Sequence, residues 1–405
     1  MAPHRFATLD ELDVDNRRVL VRVDFNVPLT KDRQVRDDTR IRAALPTLRN
    51  LRERGAKLVV CSHLGRPKGS ANPALSMEPV GARLAELLEV EVKLADEVVG
   101  DGVTKLVSDS RAGEVVLLEN LRFDPGETSN DPKLSQALAA LCDAYVCDAF
   151  GACHRAHASV VGVPSLVHDK AAGLLLQAEL VALSRLVQDP QRPFVAIVGG
   201  AKVSDKLGVL IALVERLTAG DTVIIGGAMA NTFLAAQGSE LGGSLMERDR
   251  TRDALTVLTK ASARDIRVLL PTDLRVGRGI DAAQGRIHDV AIGAPLEDDE
   301  MALDIGPDTA ARCATVIAKA AMLMWNGPMG LFENPAFAEG TLAVARAVAA
   351  CPGFCVVGGG DSVAAIQQSG LADRIDHVST GGGASLEFIE GKTLPGVAAL
   401  QRGDD

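Results

Sequence analysis

Short apolar runs alternate with amphipathic segments along almost the whole chain. Arg17 to Asp24, Lys57 to Ser62, Glu114 to Leu118 and Ala144 to Asp148 are compact runs rich in Val and Leu, as expected of strands buried on both faces. Ile41, Leu45 and Leu48, following Asp37 and Asp38, predict a helix, and Met77 to Leu88 predicts another. After a longer helical pattern from Ala171 to Val187, the alternation resumes. Phe194 to Val198, Thr222 to Ile225, Ile266 to Leu270, Ala321 to Trp325 and Phe354 to Val357 read as strands, with helices from Ser204, Met229 and Arg250. Ser379 to Ala384 precedes one more helix. Strand and helix in turn mean parallel sheets, so the fold class is α/β.

Length divides the pattern. A chain of 405 residues exceeds one ordinary core. Pro190 and Pro193, close behind the helical pattern, mark a boundary, so residues 171–189 read as a helix joining a first domain, 1–170, to a second, 190–389. Asp273 to Ile292, rich in Gly and Arg, reads as a local β excursion on the second sheet. Its function is not legible from pattern.

Charge narrows the partners. The formal net charge of −10 argues against nucleic acid or an anionic membrane, so any anion must meet a local basic pocket. The first residues lack an apolar leader core, and no apolar run reaches the length of a membrane span; a cytoplasmic protein is expected. Seven cysteines, an odd number scattered through apolar segments, point to buried free thiols rather than disulfides. Cys142, Cys147, Cys153, His154 and His157 lack zinc-ligand spacing.

Candidate chemistry lies where strands end. Gly199-Gly200 break the run Phe194 to Val198, and Ser204 is expected to cap the helix that follows. Such a turn admits an anion to backbone N–H groups and to a helix N-terminus, and Lys202 and Lys206, spaced i, i+4, face the same anion if they lie on that helix. The same turn also occurs in plain α/β packing. Asp24 and Asn26 follow the first strand; Arg40 falls in the first turn of the next helix. His63, Gly65 and Arg66 follow the second strand, Arg122 the third, and His154 and Arg155 the fourth. Parallel strands would bring these groups to one face, which suits a polyanionic small molecule better than isolated surface cations do.

Gly226-Gly227, Gly358 to Gly360 and Gly381 to Gly383 end further strands and suit a nucleotide. Gly227-Ala228 and Pro328-Met329 could flank a base, and Glu333 could accept from ribose hydroxyls. Asp361 is the carboxylate inside a glycine turn, placed either to cap a helix or to hold nucleotide-bound magnesium, for which one carboxylate suffices. Neither a Walker motif nor a dinucleotide fingerprint is present.

The stretches RVDFNVP (22–28), DDTRIRAALPTL (37–48), SHLGRPKG (62–69), LLENLRFDPGE (117–127), DAFGACHRAHAS (148–159), GGAKVSDK (199–206), WNGPMGLFENPAFAEGT (325–341), GGGDS (358–362) and STGGGASLEFIEGKTLPGV (379–397) closely resemble phosphoglycerate kinase. The resemblance implies two Rossmann-like domains with helix-flanked parallel sheets, facing each other across a hinged cleft. It also implies that the tail, 390–405, folds back on the phosphoglycerate-binding first domain. The implied reaction is reversible phosphoryl transfer from 1,3-bisphosphoglycerate to ADP, giving 3-phosphoglycerate and ATP, with Mg2+, in a monomer.

By the same resemblance, Asp24, Phe25, Asn26, Arg40, His63, Leu64, Gly65, Arg66, Arg122 and Arg155 match the phosphoglycerate side. Gly200, Ala201, Lys206, Gly226, Gly227, Pro328, Glu333, Gly359, Gly360, Asp361 and Ser362 match the nucleotide side, with Asp361 on the metal. Arg40, Lys202, Lys206 and the helix start at Gly382 and Gly383 are expected to stabilise the migrating phosphoryl group. Three positions depart from the family pattern: Cys147 stands in place of Asn, Cys153 in place of a small non-thiol residue, and Ala302 in place of a glycine lining the base pocket. A nicotinamide enzyme would need the missing fingerprint. A catalytically silent relative would be expected to lack some of the charged residues named here.

Overall fold

In the computed structural model, residues 6–188, 190–290 and 293–401 are described. The chain divides into two units: one runs to Val181 and takes in the chain again from Thr393, and the other is Ala182–Lys392.

The first unit is built on six parallel strands, β1 (Arg18–Val23), β2 (Lys57–Cys61), β3 (Val92–Leu94), β4 (Val115–Leu117), β5 (Ala144–Asp148) and β6 (Lys170–Ala172), in the order β3-β4-β2-β1-β5-β6. The centre is apolar because β2, β4 and β5 are buried almost throughout, as strands covered on both faces must be. Val19, Val21, Val23, Val60, Leu117 and Val146 join Ile41, Leu45 and Leu48 of the helix Thr39–Glu53 in one core. The connections from β1 run to β2 on one side and, later, to β5 on the other. The strand order therefore reverses at β1/β5, where open α/β sheets leave a crevice at their carboxyl ends.

The second unit repeats the plan. β7 (Phe194–Val198), β8 (Thr222–Ile225), β9 (Arg267–Leu269), β13 (Met322–Asn326), β14 (Phe354–Gly358) and β15 (His377–Val378) form a parallel sheet in the order β15-β14-β13-β7-β8-β9. Its reversal point lies at β7/β13. Trp325, fully buried in β13, donates its indole N–H to Gly327 O at 2.7 Å and so pins the turn that follows the strand. Together the two units give the α/β architecture read from the pattern.

Several elements differ from expectation. Asp273 to Ile292 does not join the second sheet: β10 (Asp273–Gly277) and β11 (Arg286–Asp289) form a separate antiparallel sheet completed by β12 (Met301–Ile305). Ile292 lies outside the described residues. The helix expected from Ala171 starts at Leu174, because Ala171 and Ala172 pair with β5 as an edge strand; it runs to Gln188, and its expected end at Asp189 is not among the described residues. The helix expected from Met229 begins at Gly227 and the one from Ser204 at Leu207. Ser204 is not its cap: the Ser204 N–H and hydroxyl both donate to Glu247, while Lys206 occupies the capping position. The C-terminal segment packs within the first unit, where Gly396 N donates to Cys153 O at 2.9 Å and Leu394, Val397 and Leu400 are buried. The part of the expected tail beyond Gln401 lies outside the described residues. Among the described residues, no helix is long and apolar enough to cross a membrane.

Candidate functional site

In the first unit, the residues singled out in the sequence gather at the carboxyl ends of β4, β2, β1 and β5, which are consecutive in the sheet. Asp24, just past β1, accepts from Arg40 Nη1 at 2.9 Å and from the Asn26 N–H at 3.3 Å, and it lies 3.9 Å from His63 Nδ1. Burial alone would raise the Asp24 carboxyl, but the Arg40 and Arg22 guanidinium groups and the Asn26 N–H hold it below the usual carboxylate range. Burial also drives the His63 imidazole down to about 3; Asp24 opposes this, and Arg22 and Arg122 reinforce it. His63 is therefore neutral at neutral pH, and Arg40 and Arg22 supply the positive charge beside Asp24. His63 is a neutral hydrogen-bonding partner rather than a cation.

Backbone geometry fixes the second strand end. Gly65 has φ +61°, a backbone conformation that favours glycine, and it packs against the Leu75 side chain. Its N–H donates to Asn26 Oδ1 at 2.9 Å and its carbonyl accepts from Arg122 Nη1 at 2.6 Å. The N–H and C=O of Leu64 are both engaged by the Asn120 amide, and Phe25 is fully buried with its N–H on Ser62 Oγ. Leu64 and Phe25 thus shape the turn through backbone and packing. Arg66 and Arg155 are exposed. Arg122 is buried: burial, then Arg155 and Arg22, then more weakly Arg66 lower its pKa, while Glu127 opposes them. Its Nε is buried and has no hydrogen-bond partner among the described residues. A cluster of mutually repelling guanidinium groups suits an anion.

Two supporting residues escaped the sequence reading. Arg22 is fully buried, donates to Ser159 Oγ at 2.8 Å and reaches His63 Nδ1 at 3.2 Å. Glu127, also fully buried, accepts from the Ser159 hydroxyl at 2.7 Å and the Ser159 N–H at 3.0 Å. Burial would raise the Glu127 carboxyl, but His157, Arg22 and Ser159 bring it to about 2, so it stays ionised as the counter-charge to Arg22. Only LRFDPGE hinted at it, as part of a longer motif.

In the second unit, a cavity of about 320 Å³ opens beside the β7/β13 reversal point. Gly200, Ala201, Gly227, Ala228, Pro328, Glu333 and Asp361 line it, as do Leu245, Ile280, Met301, Ala302, Leu303 and Leu331. Gly227 has φ +66°, and its Cβ would lie 2.5 Å from Gly200 O, so the two glycine turns pack backbone on backbone. Lys206 turns back from the start of its helix to donate to Asn326 O at 3.1 Å and to Asn326 Oδ1. Burial lowers it to about 8 against the pull of Asp361 and Asp205. Lys202 is exposed in the preceding turn, so the i, i+4 relation expected of a helix does not hold here.

Asp361 lies exposed in the first turn of the helix Gly360–Gln368, whose capping residue is Gly359 with φ +95°. The Ser362 hydroxyl is committed internally, accepting from Gly327 N at 2.9 Å and donating to Gly358 O at 2.6 Å. Gly226 is buried against Met329, and Gly360 is exposed beside Asp361. Gly382, with φ +51°, caps the helix Gly383–Glu390. Ala302 lines the cavity and donates its N–H to Ser244 Oγ at 2.8 Å. Ile280, in the β10/β11 loop, gives the unread excursion a place: it forms one wall of the cavity. Among the described residues, no group of three or more His, Cys, Asp or Glu could hold a metal ion.

A sequence model of the family described as phosphoglycerate kinase matches residues 9–392. The chain is 52% identical over 396 residues to the phosphoglycerate kinase of Anaeromyxobacter dehalogenans, covering 97% of this chain and 99% of that one. It is 53% identical over 393 residues to that of Moorella thermoacetica, covering 97% and 98%. Among solved structures it is similar to phosphoglycerate kinase from Coxiella burnetii, with a TM-score of 0.86, 39% identity and coverage of 98% of this chain and 99% of that one.

Proposed function

The chain belongs to the phosphoglycerate kinase family, and from that membership we propose how its residues carry out the reversible transfer of a phosphoryl group from 1,3-bisphosphoglycerate to ADP, giving 3-phosphoglycerate and ATP. The first unit holds the phosphoglycerate and the second the nucleotide. The observation that carries this reading is the guanidinium cluster around Arg122, where Arg155, Arg22 and Arg66 all lower the Arg122 pKa. A phosphoglycerate brings a carboxyl-derived group and a phosphate, and each relieves repulsion among Arg66, Arg122 and Arg155. Asn26 and neutral His63 add hydrogen bonds, and Asp24 orients Arg40.

On the nucleotide side, the apolar walls Leu245, Ile280, Met301 and Leu331 suit a base, and Glu333 suits ribose hydroxyls. The phosphates then run toward Gly200, Lys206 and Asp361. Asp361 is an exposed carboxylate on the same cavity, which fits Mg2+ that arrives with the nucleotide and takes one protein carboxylate. Bound there, the ion would neutralise phosphate charge.

Phosphoryl transfer needs donor and acceptor in line and stabilisation of the equatorial oxygens. Arg40 contributes from the first unit, and Lys202, Lys206 and the helix start at Gly382 and Gly383 from the second. In the ATP-forming direction the attacking ADP oxygen is already anionic, so no general base is needed. Transfer requires the two ligands to meet, and excluding water at that moment protects the acyl phosphate from hydrolysis. One copy carries both ligand sets, so we expect a monomer acting in the cytoplasm without nucleic acid or membrane partners.

The test combines a coupled assay for ATP formation with calorimetric titration of each ligand. Arg66→Ala and Arg155→Ala are expected to weaken 3-phosphoglycerate binding while nucleotide binding is kept. Equal losses on both ligands would overturn the division of labour.

A further inference from the structure

We propose that Thr341 is a positioning residue of the nucleotide site, its hydroxyl holding the turn Gly327–Met329 from which two cavity-lining glycine turns hang. The inference rests on the reading that the cavity of the second unit takes the nucleotide. The turn leaves β13 and lends its carbonyls to the glycine turns: Pro328 O accepts from the Gly200 N–H at 3.0 Å, and Met329 O accepts from the Gly227 N–H at 2.9 Å. Gly200, Gly227 and Pro328 all line the cavity. The fit has no slack, since a Cβ on Gly199 would lie 2.1 Å from Pro328 O and one on Gly227 2.9 Å from the same oxygen. Where this turn sits therefore decides where both glycines meet the ligand.

Two fully buried hydroxyls hold the turn, one at each end. The Gly327 N–H donates to Ser362 Oγ at 2.9 Å, and the Met329 N–H donates to Thr341 Oγ1 at 3.1 Å. The Gly327 end has a further hold, the Trp325 indole on Gly327 O, whereas at the Met329 N–H the partner is the Thr341 hydroxyl. Ser362 already belongs to the nucleotide set; Thr341 is its counterpart across the turn.

The place of Thr341 is itself fixed. It lies in the first turn of the helix Glu339–Ala349, where the Gly340 N–H donates to Asp304 Oδ2 at 2.6 Å and a Cβ on Gly340 would lie 2.4 Å from Asp304 Oδ1. This seats the helix start on β12. That strand carries Met301, Ala302 and Leu303 of the cavity wall, and Leu303 O accepts from the Leu331 N–H at 2.7 Å. One helix start thus registers the β12 wall against the glycine turns. Valine has nearly the shape of threonine without the oxygen. In its place the buried Met329 N–H would be left unpaired, and relief comes from a shift of the turn that carries Gly200 and Gly227 with it. Thr341 acts through Met329 rather than on the ligand, so its effect belongs to nucleotide binding that is equal in ground and transition states.

The test combines steady-state kinetics in the ATP-forming direction with calorimetric binding of ADP and of 3-phosphoglycerate, on the full chain. Thr341→Val should raise the nucleotide KM about tenfold, the size of one buried donor left unpaired, with kcat within about twofold and 3-phosphoglycerate affinity unchanged. Thr341→Ser, which restores the oxygen, should return KM to within about twofold of wild type. Hydrogen exchange on the wild type reads the same contact with no substitution, and so stands even if Thr341→Val does not fold: ADP should slow the Met329, Gly200 and Gly227 amides together. A Thr341→Val protein with a lower urea midpoint and an unchanged KM would make the residue purely structural and overturn the proposal. So would a Thr341→Ser variant no better than Thr341→Val, or a Met329 amide indifferent to ADP while the two glycine amides slow. Ala228→Trp, which fills the cavity, separates the inference from the reading beneath it. ADP binding retained in that variant would overturn both; ADP binding lost there, with Thr341→Val at wild-type KM, would overturn the inference alone.

Discussion

Arg40 Nη1 and Asp24 Oδ2 are 2.9 Å apart, and this contact joins the start of the helix Thr39–Glu53 to the end of β1. A cation in the first helical turn opposes the helix dipole, so Asp24 offsets an unfavourable placement and aims the guanidinium out over the strand ends. If Arg40 acts on the phosphoryl group in transfer, Arg40→Ala should lower kcat by roughly 10³, as loss of an arginine finger does, with a far smaller loss in 3-phosphoglycerate affinity. Steady-state kinetics in both directions, with binding measured on the same folded variant, decide it. A kcat within a few-fold of wild type would remove Arg40 from the transfer step.

Glu333 and Ile280 line the cavity of the second unit. Replacing either by Ala should raise the nucleotide KM more than it lowers kcat, because both act on binding that is equal in ground and transition states. A collapse of kcat at unchanged KM would place them in the chemistry.

Asp361→Ala should weaken magnesium-dependent nucleotide binding and leave 3-phosphoglycerate affinity nearly intact. Titrating both ligands, with and without magnesium, checks this. Parallel loss of both affinities would mean that Asp361 holds structure instead.

Glu127 and Arg22 are a buried ion pair in effect, tied through Ser159. Removing one partner strands the other, so Glu127→Ala should cost about 3–5 kcal/mol in urea unfolding. Because the carboxyl is held at about 2 in the fold, against 4.5, its contribution is present above that ordinary value and is lost as pH falls toward 2. An unfolding free energy unchanged in the variant would show that solvent reaches Arg22.

Asp148 carries the opposite sign. Buried at the end of β5, it accepts from Leu176 N at 3.1 Å, and burial raises it from 3.8 to about 7 despite that hydrogen bond. The folded state holds this proton more tightly, so the stability it provides is complete below 3.8 and is lost as pH rises through about 7. Asp304, also raised to about 7, adds to the same trend. These two groups should therefore make the Tm of the wild type fall as pH rises from about 4 to about 7 and level off above that, a slope that Asp148→Asn flattens in part. An identical slope in the variant would rule out Asp148 as a source.

The strands were legible wherever they were buried on both faces. β5 and β7 begin and end where their apolar runs do, since a central parallel strand has no polar side to blur its limits. β3, β6 and β15 were not, because edge strands of two or three residues carry too little pattern. The cationic side of the site was readable because Arg40, His63, Arg66, Arg122 and Arg155 follow recognisable strands or turns. Its supports were not: Arg22 and Glu127 meet only through packing, and neither shows that partnership locally. The cavity walls Leu245 and Ile280 are exposed apolar residues in loops, which in a sequence look like noise. Lys206 was placed on a helix that begins one residue later, and that single residue turns its side chain back toward Asn326.

The segment from Thr393 belongs with strands made hundreds of residues earlier, and Gly396 fits against Cys153 so closely that a Cβ would lie 2.9 Å from the Cys153 Cα. During vectorial synthesis, the first unit thus stays unsealed until the second has emerged in full, whereas the second needs nothing translated after Lys392. The half of the molecule made first is the half finished last, and a chain cut back to Lys392 would keep every residue of its second unit while leaving the first without its closing segment.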